Sequence, residues 1–163
     1  MESMLSATRP AAASLSCEEG AMRTLVDTCV LSEVQRPKGA AEVRKRFESL
    51  DEEDIYLSVL TLGELKKGID KLRASAKKRS LTTWFDQLAL SASKRILPID
   101  HETAVIWGEV TAKCEKKGRS IPAVDGLIAA TALRHGLHLM TRNVSDFEPT
   151  GAMLINPWDG IGS

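Results

Sequence analysis

Short apolar runs alternate with longer stretches of helical periodicity along this chain, and no other feature of the sequence restricts its fold as strongly. Strand-like runs are predicted at residues 24–26, 55–58, 95–99, 137–141 and 153–155. The spacing of apolar side chains predicts helices at about 40–50, 59–72, 80–90, 101–118 and 122–135. Strands that alternate with helices favour parallel pairing with right-handed crossovers, so the predicted fold class is α/β with a parallel sheet.

Length and composition fit a single domain. The 163 residues carry a formal net charge of +0 and are 43% hydrophobic, so no global field draws the chain onto nucleic acid. The three cysteines share no ligand spacing, which favours a reducing, cytoplasmic compartment. Residues 1–21 contain no signal or membrane-spanning pattern. We expect them to be a disordered leader before a domain spanning 22–160, with Met22 as the natural start.

Four acidic residues lie where predicted strands end or the next helices begin, and they are Asp27, Glu64, Asp125 and Asp146. In an open parallel sheet such positions meet at the carboxyl edge of the strands, where doubly wound folds bind their ligands. Carboxylate oxygens are preferred ligands of Mg²⁺ and Mn²⁺, and such ions activate water for phosphoryl displacement. The sequence therefore predicts one divalent-metal site built from these four acids.

Each acid also has a plain structural alternative, and the sequence leaves these alternatives open. Asp27 can cap the helix that follows it, and Glu64 stands three residues after Thr61 in the spacing of a capping box. Asp125 can complement a helix dipole, and Asp146 can be an ordinary loop residue. The metal site is favoured because one shared edge explains all four positions.

The predicted hairpin of helices 59–72 and 80–90 is rich in positive charge, with Asp70 as its local acid. A solvated helix face and a surface for an RNA phosphate backbone both explain this pattern. Arg142 is a further candidate for a backbone contact. No P-loop, dinucleotide fingerprint or convincing Ser/His/Asp set accompanies these residues. The basic residues of the hairpin are Lys66, Lys67, Lys71, Arg73, Lys77, Lys78 and Arg79.

Four segments resemble the PIN-domain family, in particular its ribonuclease toxins of the VapC and FitB type from type II toxin–antitoxin systems. The segments are 25–28 (LVDT), 57–65 (LSVLTLGEL), 125–132 (DGLIAATA) and 141–147 (TRNVSDF). The resemblance covers residues 22 to about 158 and implies a three-layer α/β/α sandwich with a central parallel sheet. It also implies Mg²⁺- or Mn²⁺-dependent endoribonuclease activity, frequent homodimers and inhibition by a small antitoxin protein.

Within this resemblance the four acids are the catalytic and metal-binding residues, and Thr141 and Asn143 match polar residues near them. The chain departs from the family at Cys29, where Asn is common, and at Gly126, where Ala is common. We expect the first change to weaken a hydrogen bond near the site. The second is expected to loosen the first turn of its helix by up to about 1 kcal/mol.

These observations together indicate a metal-dependent endoribonuclease toxin, in which the four acids hold one or two ions and metal-activated water cleaves RNA. The alternative is a catalytically silent PIN-like partner in an antitoxin/DNA-binding repressor complex. A metal phosphatase for small molecules is a third option, and it would need a closed pocket in place of an open groove. The apolar stripes of the hairpin predict a docking groove for an antitoxin helix, with homodimerisation as the competing use of that surface. The resemblance does not identify the RNA that is cleaved.

Overall fold

Five parallel strands form one sheet in the computed structural model, which describes residues 22–160. The strands are β1 (Thr24–Val26), β2 (Ile55–Ser58), β3 (Ile96–Leu97), β4 (His138–Met140) and β5 (Met153–Ile155). Their order across the sheet is β3-β2-β1-β4-β5, and every neighbouring pair is parallel. The predicted parallel α/β architecture is therefore confirmed.

Seven α-helices connect or follow these strands within the described part of the chain. None of them is long and apolar enough to cross a membrane. Short 3₁₀ turns at Glu52–Asp54 and Glu148–Thr150 precede β2 and β5. The helices are α1 (Thr28–Gln35), α2 (Ala41–Glu48), α3 (Val59–Asp70), α4 (Ala76–Ser91), α5 (His101–Lys116), α6 (Ala123–His135) and α7 (Val144–Phe147).

Strands β2 and β3 are added on one side of β1, and β4 and β5 are added on its other side, so the strand order reverses at β1. Val26 of β1 is in register with Met140 of β4, and the backbone N–H of Asp27 donates to the Met140 carbonyl at 2.9 Å. Such a reversal opens a crevice outside the carboxyl ends of the two strands. The residues that follow β1 and β4 therefore lie side by side at this crevice.

Helices cover both faces of the sheet, which gives the three layers of an α/β/α sandwich. Val26 and Met140 point into one core with residues of α1, α2, α3 and α4, whereas Leu25 and Leu139 point into a second core with α6 and Phe147. Strands buried on both faces read as continuous apolar runs, and this is why periodicity located them. The two cores anchor the strand ends that carry the polar residues of the crevice.

The structure corrects the sequence analysis at three places. Helix α4 begins at Ala76, four residues before the predicted start, because the side chain of Ser75 caps it by accepting from the backbone N–H of Lys78 at 3.1 Å. Strand β3 is reduced to two residues. Asp146 lies in the short helix α7 rather than in a loop. The expected leader, residues 1–21, lies outside the described residues, so its disorder stays a prediction.

Candidate functional site

Asp27 is the first residue after β1, and it is held in place by both of its carboxylate oxygens. Oδ1 accepts a 2.8 Å hydrogen bond from the backbone N–H of Thr28 and thereby caps α1. Oδ2 accepts a 2.8 Å bond from the hydroxyl of Thr141, which follows β4. Only 6% of Asp27 is exposed. The capping role and a role in the crevice are therefore compatible, because Oδ1 accepts only the Thr28 bond among the described residues and retains a lone pair for a further ligand.

Thr141 and Cys29 complete a small network around Asp27. The Thr141 hydroxyl also accepts from the backbone N–H of Asn143 at 3.1 Å. The Cys29 thiol lies 3.6 Å from Asp27 Oδ2, to which it donates, and its sulfur accepts from the backbone N–H of Arg142 at 3.5 Å. Burial, and then the negative charge of Asp27, raise the pKa of the Cys29 thiol above its usual value. The thiol therefore keeps its proton and can act as this donor.

Glu64 lies on α3 and points towards the start of α1, where its Oε1 accepts a 2.9 Å hydrogen bond from the Thr28 hydroxyl. The capping box that its spacing after Thr61 indicated is wrong. Ser58 is the N-cap of α3, and its side chain accepts from the backbone N–H of Leu60 at 3.1 Å. Thr28 thus links two of the four acids, since its backbone N–H binds Asp27 and its hydroxyl binds Glu64.

Asp125 lies in the first turn of α6, and the negative charges of all three other acids act on its carboxyl. Burial raises the pKa of its carboxyl, and the charges of Asp27, Glu64 and Asp146 raise it further. Like charges raise the pKa of a carboxyl when they lie close to it. Asp27, Glu64 and Asp146 therefore all lie near enough to Asp125 for their charges to act on its carboxyl.

The donor chemistry of this neighbourhood suits a hard divalent cation, because every candidate ligand is a carboxylate and their mutual repulsion favours an added positive charge. As the side chains are placed, no group of three or more His, Cys, Asp or Glu within residues 22–160 could hold a metal ion. Glu64 and Asp146 are exposed, however, and exposed side chains change rotamer on a picosecond to nanosecond timescale. Closure onto an ion would therefore require these side chains to move.

Two further contacts near the site were not anticipated from the sequence. The backbone at Gly126 lies so close to Trp107 of α5 that a Cβ there would be 2.9 Å from the indole Nε1. Gly126 therefore does more than loosen its helix, since an alanine would collide with the indole. The guanidinium of Arg142 lies over the ring of Trp158, 5.1 Å from its centroid. Both contacts join distant segments, and no local pattern marks them.

An apolar groove of about 150 Å³ begins beside Glu64 and runs between α1 and the α3–α4 hairpin. Its wall near the site is polar, and its far wall consists of leucine, isoleucine and tryptophan side chains. The groove is lined by Thr28, Ser32, Gln35, Glu64, Leu65, Gly68, Ile69, Leu72, Leu81 and Trp84.

Comparison with known proteins agrees with this architecture. The family model described as PIN domain matches residues 24–148. The protein named Toxin FitB, from Neisseria gonorrhoeae (strain ATCC 700825 / FA 1090), is 38% identical over 135 residues, covering 82% of this chain and 97% of that protein. VapC ribonuclease Y4jK from Sinorhizobium fredii (strain NBRC 101917 / NGR234) is 32% identical over 136 residues, covering 83% of this chain and 97% of that protein.

Solved structures give the same assignment. The crystal structure of FitAcB from Neisseria gonorrhoeae matches with a TM-score of 0.80 and 36% identity, covering 83% of this chain and 99% of that chain. The structure of FitAB bound to an IR36 DNA fragment matches with a TM-score of 0.81 and 35% identity, covering 85% of this chain and 98% of that chain. This chain belongs to the PIN domain family and is related to the FitB and VapC toxins of toxin–antitoxin systems.

Proposed function

We propose that this protein is a divalent-metal-dependent endoribonuclease that acts as the toxin of a toxin–antitoxin pair in the cytoplasm. The observation that carries the proposal is that Thr28 joins Asp27 and Glu64, since its backbone N–H donates to Asp27 at 2.8 Å and its hydroxyl donates to Glu64 at 2.9 Å. The charges of Asp27, Glu64 and Asp146, which raise the pKa of the Asp125 carboxyl, support it further. Relationship to a protein named as a VapC ribonuclease supports the reaction class.

Asp27, Glu64 and Asp125 are the residues we assign to hold Mg²⁺ or Mn²⁺, and Asp146 completes the set. When bound, such an ion supplies Lewis-acid stabilisation of the charge that develops on a phosphodiester. Thr28 and Thr141 orient the Asp27 carboxylate by their hydrogen bonds of 2.8 Å.

Cleavage of a pooled RNA by the Asp27→Asn and Asp125→Asn variants tests the assignment. A metal ion contributes several kcal/mol of transition-state stabilisation, so we expect each variant to lose about 10²-fold or more in rate. Asp86→Asn is the matched control, because Asp86 is an exposed acid on α4 outside the four-acid set. Cleavage at the wild-type rate by either site variant would show that the site is wrongly assigned.

A small antitoxin protein is the proposed partner. The related solved structures are those of FitAcB and of FitAB bound to DNA, and the apolar groove beside Glu64 offers this chain a surface for an amphipathic helix. We propose that the helix docks between α1 and the α3–α4 hairpin and that an Arg or Lys after it reaches the four acids, where a charge-assisted contact blocks the site. Homodimerisation of the chain stays a prediction.

Hydrogen exchange of the chain alone and with the adjacently encoded small protein tests this docking. We expect protection of residues 59–90 together with loss of RNA cleavage, since both follow from one bound helix. Inhibition without protection of that hairpin would place the antitoxin elsewhere. Gly68→Trp serves as a blocking variant, because an added side chain at Gly68 meets open space and would fill the groove.

A catalytically silent partner in a DNA-binding repressor complex is the second candidate function, favoured by the DNA-bound FitAB structure to which this chain is similar. The two candidates differ in one measurement. A silent partner would leave pooled RNA intact in millimolar Mg²⁺ or Mn²⁺ and would still bind the antitoxin, whereas a toxin cleaves RNA until the antitoxin is added.

A further inference from the structure

Arg142 stands at the carboxyl edge of the sheet, one residue after Thr141, and its backbone is tied to the acidic site. Its N–H donates to the Cys29 sulfur at 3.5 Å, and that thiol in turn lies 3.6 Å from Asp27 Oδ2. Its neighbour Thr141 binds the same carboxylate oxygen directly. The position of Arg142 is therefore coupled to Asp27 through two short routes.

The side chain of Arg142 rests on an aromatic platform. Its guanidinium carbon lies 5.1 Å from the centroid of the Trp158 ring. Trp158 is partly buried against the core that contains Val26 and Met140, and its backbone N–H donates to the Asn156 side chain at 3.0 Å. A guanidinium stacked on an indole keeps its in-plane N–H donors free, and these donors match the oxygens of a phosphate. The stacking also removes part of the entropy cost of ordering the side chain on binding.

Arg142 differs from three other arginines of the chain in its electrostatic partners. Arg36, Arg95 and Arg134 each form an ion pair with an acid. No ion pair between Arg142 and an acid is found within the described residues, although four carboxylates belong to the same edge. An exposed guanidinium that no acid of the described chain neutralises, on a residue whose backbone N–H binds Cys29 next to Asp27, is suited to the phosphate next to the one being cleaved.

We propose that Arg142, held over the ring of Trp158, binds a backbone phosphate of single-stranded RNA adjacent to the phosphodiester at the four-acid site. The proposal rests on the proposed ribonuclease function and adds the residue that sets where the RNA lies. Arg142 contacts the substrate, whereas Trp158 acts through Arg142 and is a positioning residue. No sequence preference follows from this contact, because a phosphate carries none.

Binding of a fluorescent single-stranded RNA in metal-free buffer, measured across a range of salt concentrations, tests the proposal without requiring cleavage. The slope of log K against log salt is negative, and loss of one phosphate contact decreases its magnitude by about 0.7 for a single strand. We expect Arg142→Gln to show this decrease and to bind about tenfold more weakly. Arg142→Lys should keep the slope, because the positive charge remains. It should bind RNA more weakly than the wild type, because lysine lacks the paired N–H donors of the guanidinium.

Arg36→Gln is the matched control, since Arg36 is 60% exposed and lies at the end of α1 opposite Asp27. It should leave the slope unchanged. Trp158→Leu keeps an apolar side chain and should weaken RNA binding when Arg142 is present. In a chain that already carries Arg142→Gln, adding Trp158→Leu should not weaken RNA binding further. In cleavage assays with Mg²⁺ or Mn²⁺, Arg142→Gln should raise KM more than it lowers kcat.

Equal slopes for Arg142→Gln and Arg36→Gln would overturn the proposal. So would normal RNA binding by Arg142→Gln together with weaker binding of the co-expressed small protein, since Arg142 would then belong to the protein interface. If the wild type cleaves no RNA yet binds it with an Arg142-dependent slope, the proposed function fails and the phosphate contact stands.

Discussion

Gly126→Ala is predicted to destabilise this protein, although alanine is the better helix former. Gly126 lies in the first turn of α6, one residue after Asp125. A Cβ built there would lie 2.9 Å from Nε1 of Trp107, a distance that real Cβ atoms essentially never show, and 3.0 Å from Cδ1 of the same ring. Trp107 or the start of α6 must therefore shift, and a shift of α6 would carry Asp125 with it.

The magnitude follows from two opposing effects. Alanine gains about 1 kcal/mol over glycine inside a helix. Insertion of a methyl group into a filled space costs about 1 to 3 kcal/mol. Trp107 is only partly buried, so its ring can yield and the cost falls in the middle of that range. The net loss of unfolding free energy should be about 1 kcal/mol, which lowers Tm by about 3 °C for a domain of this size.

Chemical denaturation of a double-mutant cycle measures the effect. In a Trp107→Leu background the collision is absent, and Gly126→Ala should then stabilise the protein by up to about 1 kcal/mol. Gly68→Ala is the control, since an added Cβ at Gly68 in α3 meets no atom within 4 Å and should stabilise the protein directly. Stabilisation by Gly126→Ala in the wild-type background would refute the reasoning.

Three other outcomes are expected. Thr141→Val should cost about 1 to 3 kcal/mol in denaturation experiments, because the buried Asp27 carboxylate loses the hydroxyl that donates to it at 2.8 Å. Mn²⁺ at 100 times its Kd should raise the unfolding free energy of the wild type by about 2.7 kcal/mol, and Asp27→Ala should abolish most of that rise in a thermal melt. A chain that begins at Met22 should melt within about 1 °C of the full chain, and a larger decrease would show that residues 1–21 pack on the domain.

The strands and the ends of α6 could be predicted because their signals are local. Buried parallel strands are apolar throughout. Gly136, with φ of 63°, ends α6 in the left-handed conformation, as glycine is expected to do. The start of α4 was misplaced, because its first turn has no apolar stripe and only the Ser75 cap marks it. A signal carried by one hydroxyl is too weak for periodicity to detect.

The sequence predicted which residues belong to the candidate site, but it did not predict their contacts. The carboxyl edge of a parallel sheet collects residues that follow different strands, so four acids could be assigned to one edge without knowledge of their contacts. The contacts themselves depend on tertiary structure. Thr28 binds Glu64 across 36 residues of sequence, and the Thr61–Glu64 spacing instead suggested a cap that Ser58 provides. The metal-binding role of the four acids stays a prediction.

The acidic site should make the metal-free protein less stable as pH rises. Burial and three neighbouring acids raise the pKa of Asp125 above its ordinary value of 3.8. A carboxyl with a higher pKa in the folded state binds its proton more tightly there, so its contribution to stability is complete below the unfolded pKa and is lost as pH rises through the folded pKa. Asp125→Asn keeps the shape of the protonated group and removes this dependence.

We therefore expect metal-free Asp125→Asn to be more stable than the wild type at neutral pH, with the difference disappearing as pH falls towards 3.8. Denaturation curves across this window measure it, and Asp86→Asn on α4 controls for the loss of an exposed acid. In saturating Mg²⁺ the wild type should instead be more stable than Asp125→Asn at neutral pH. A bound cation stabilises the ionised Asp125 carboxyl, which the charges of the three other acids destabilise. A wild type that stays less stable than Asp125→Asn in saturating metal would mean that Asp125 does not take part in holding the ion.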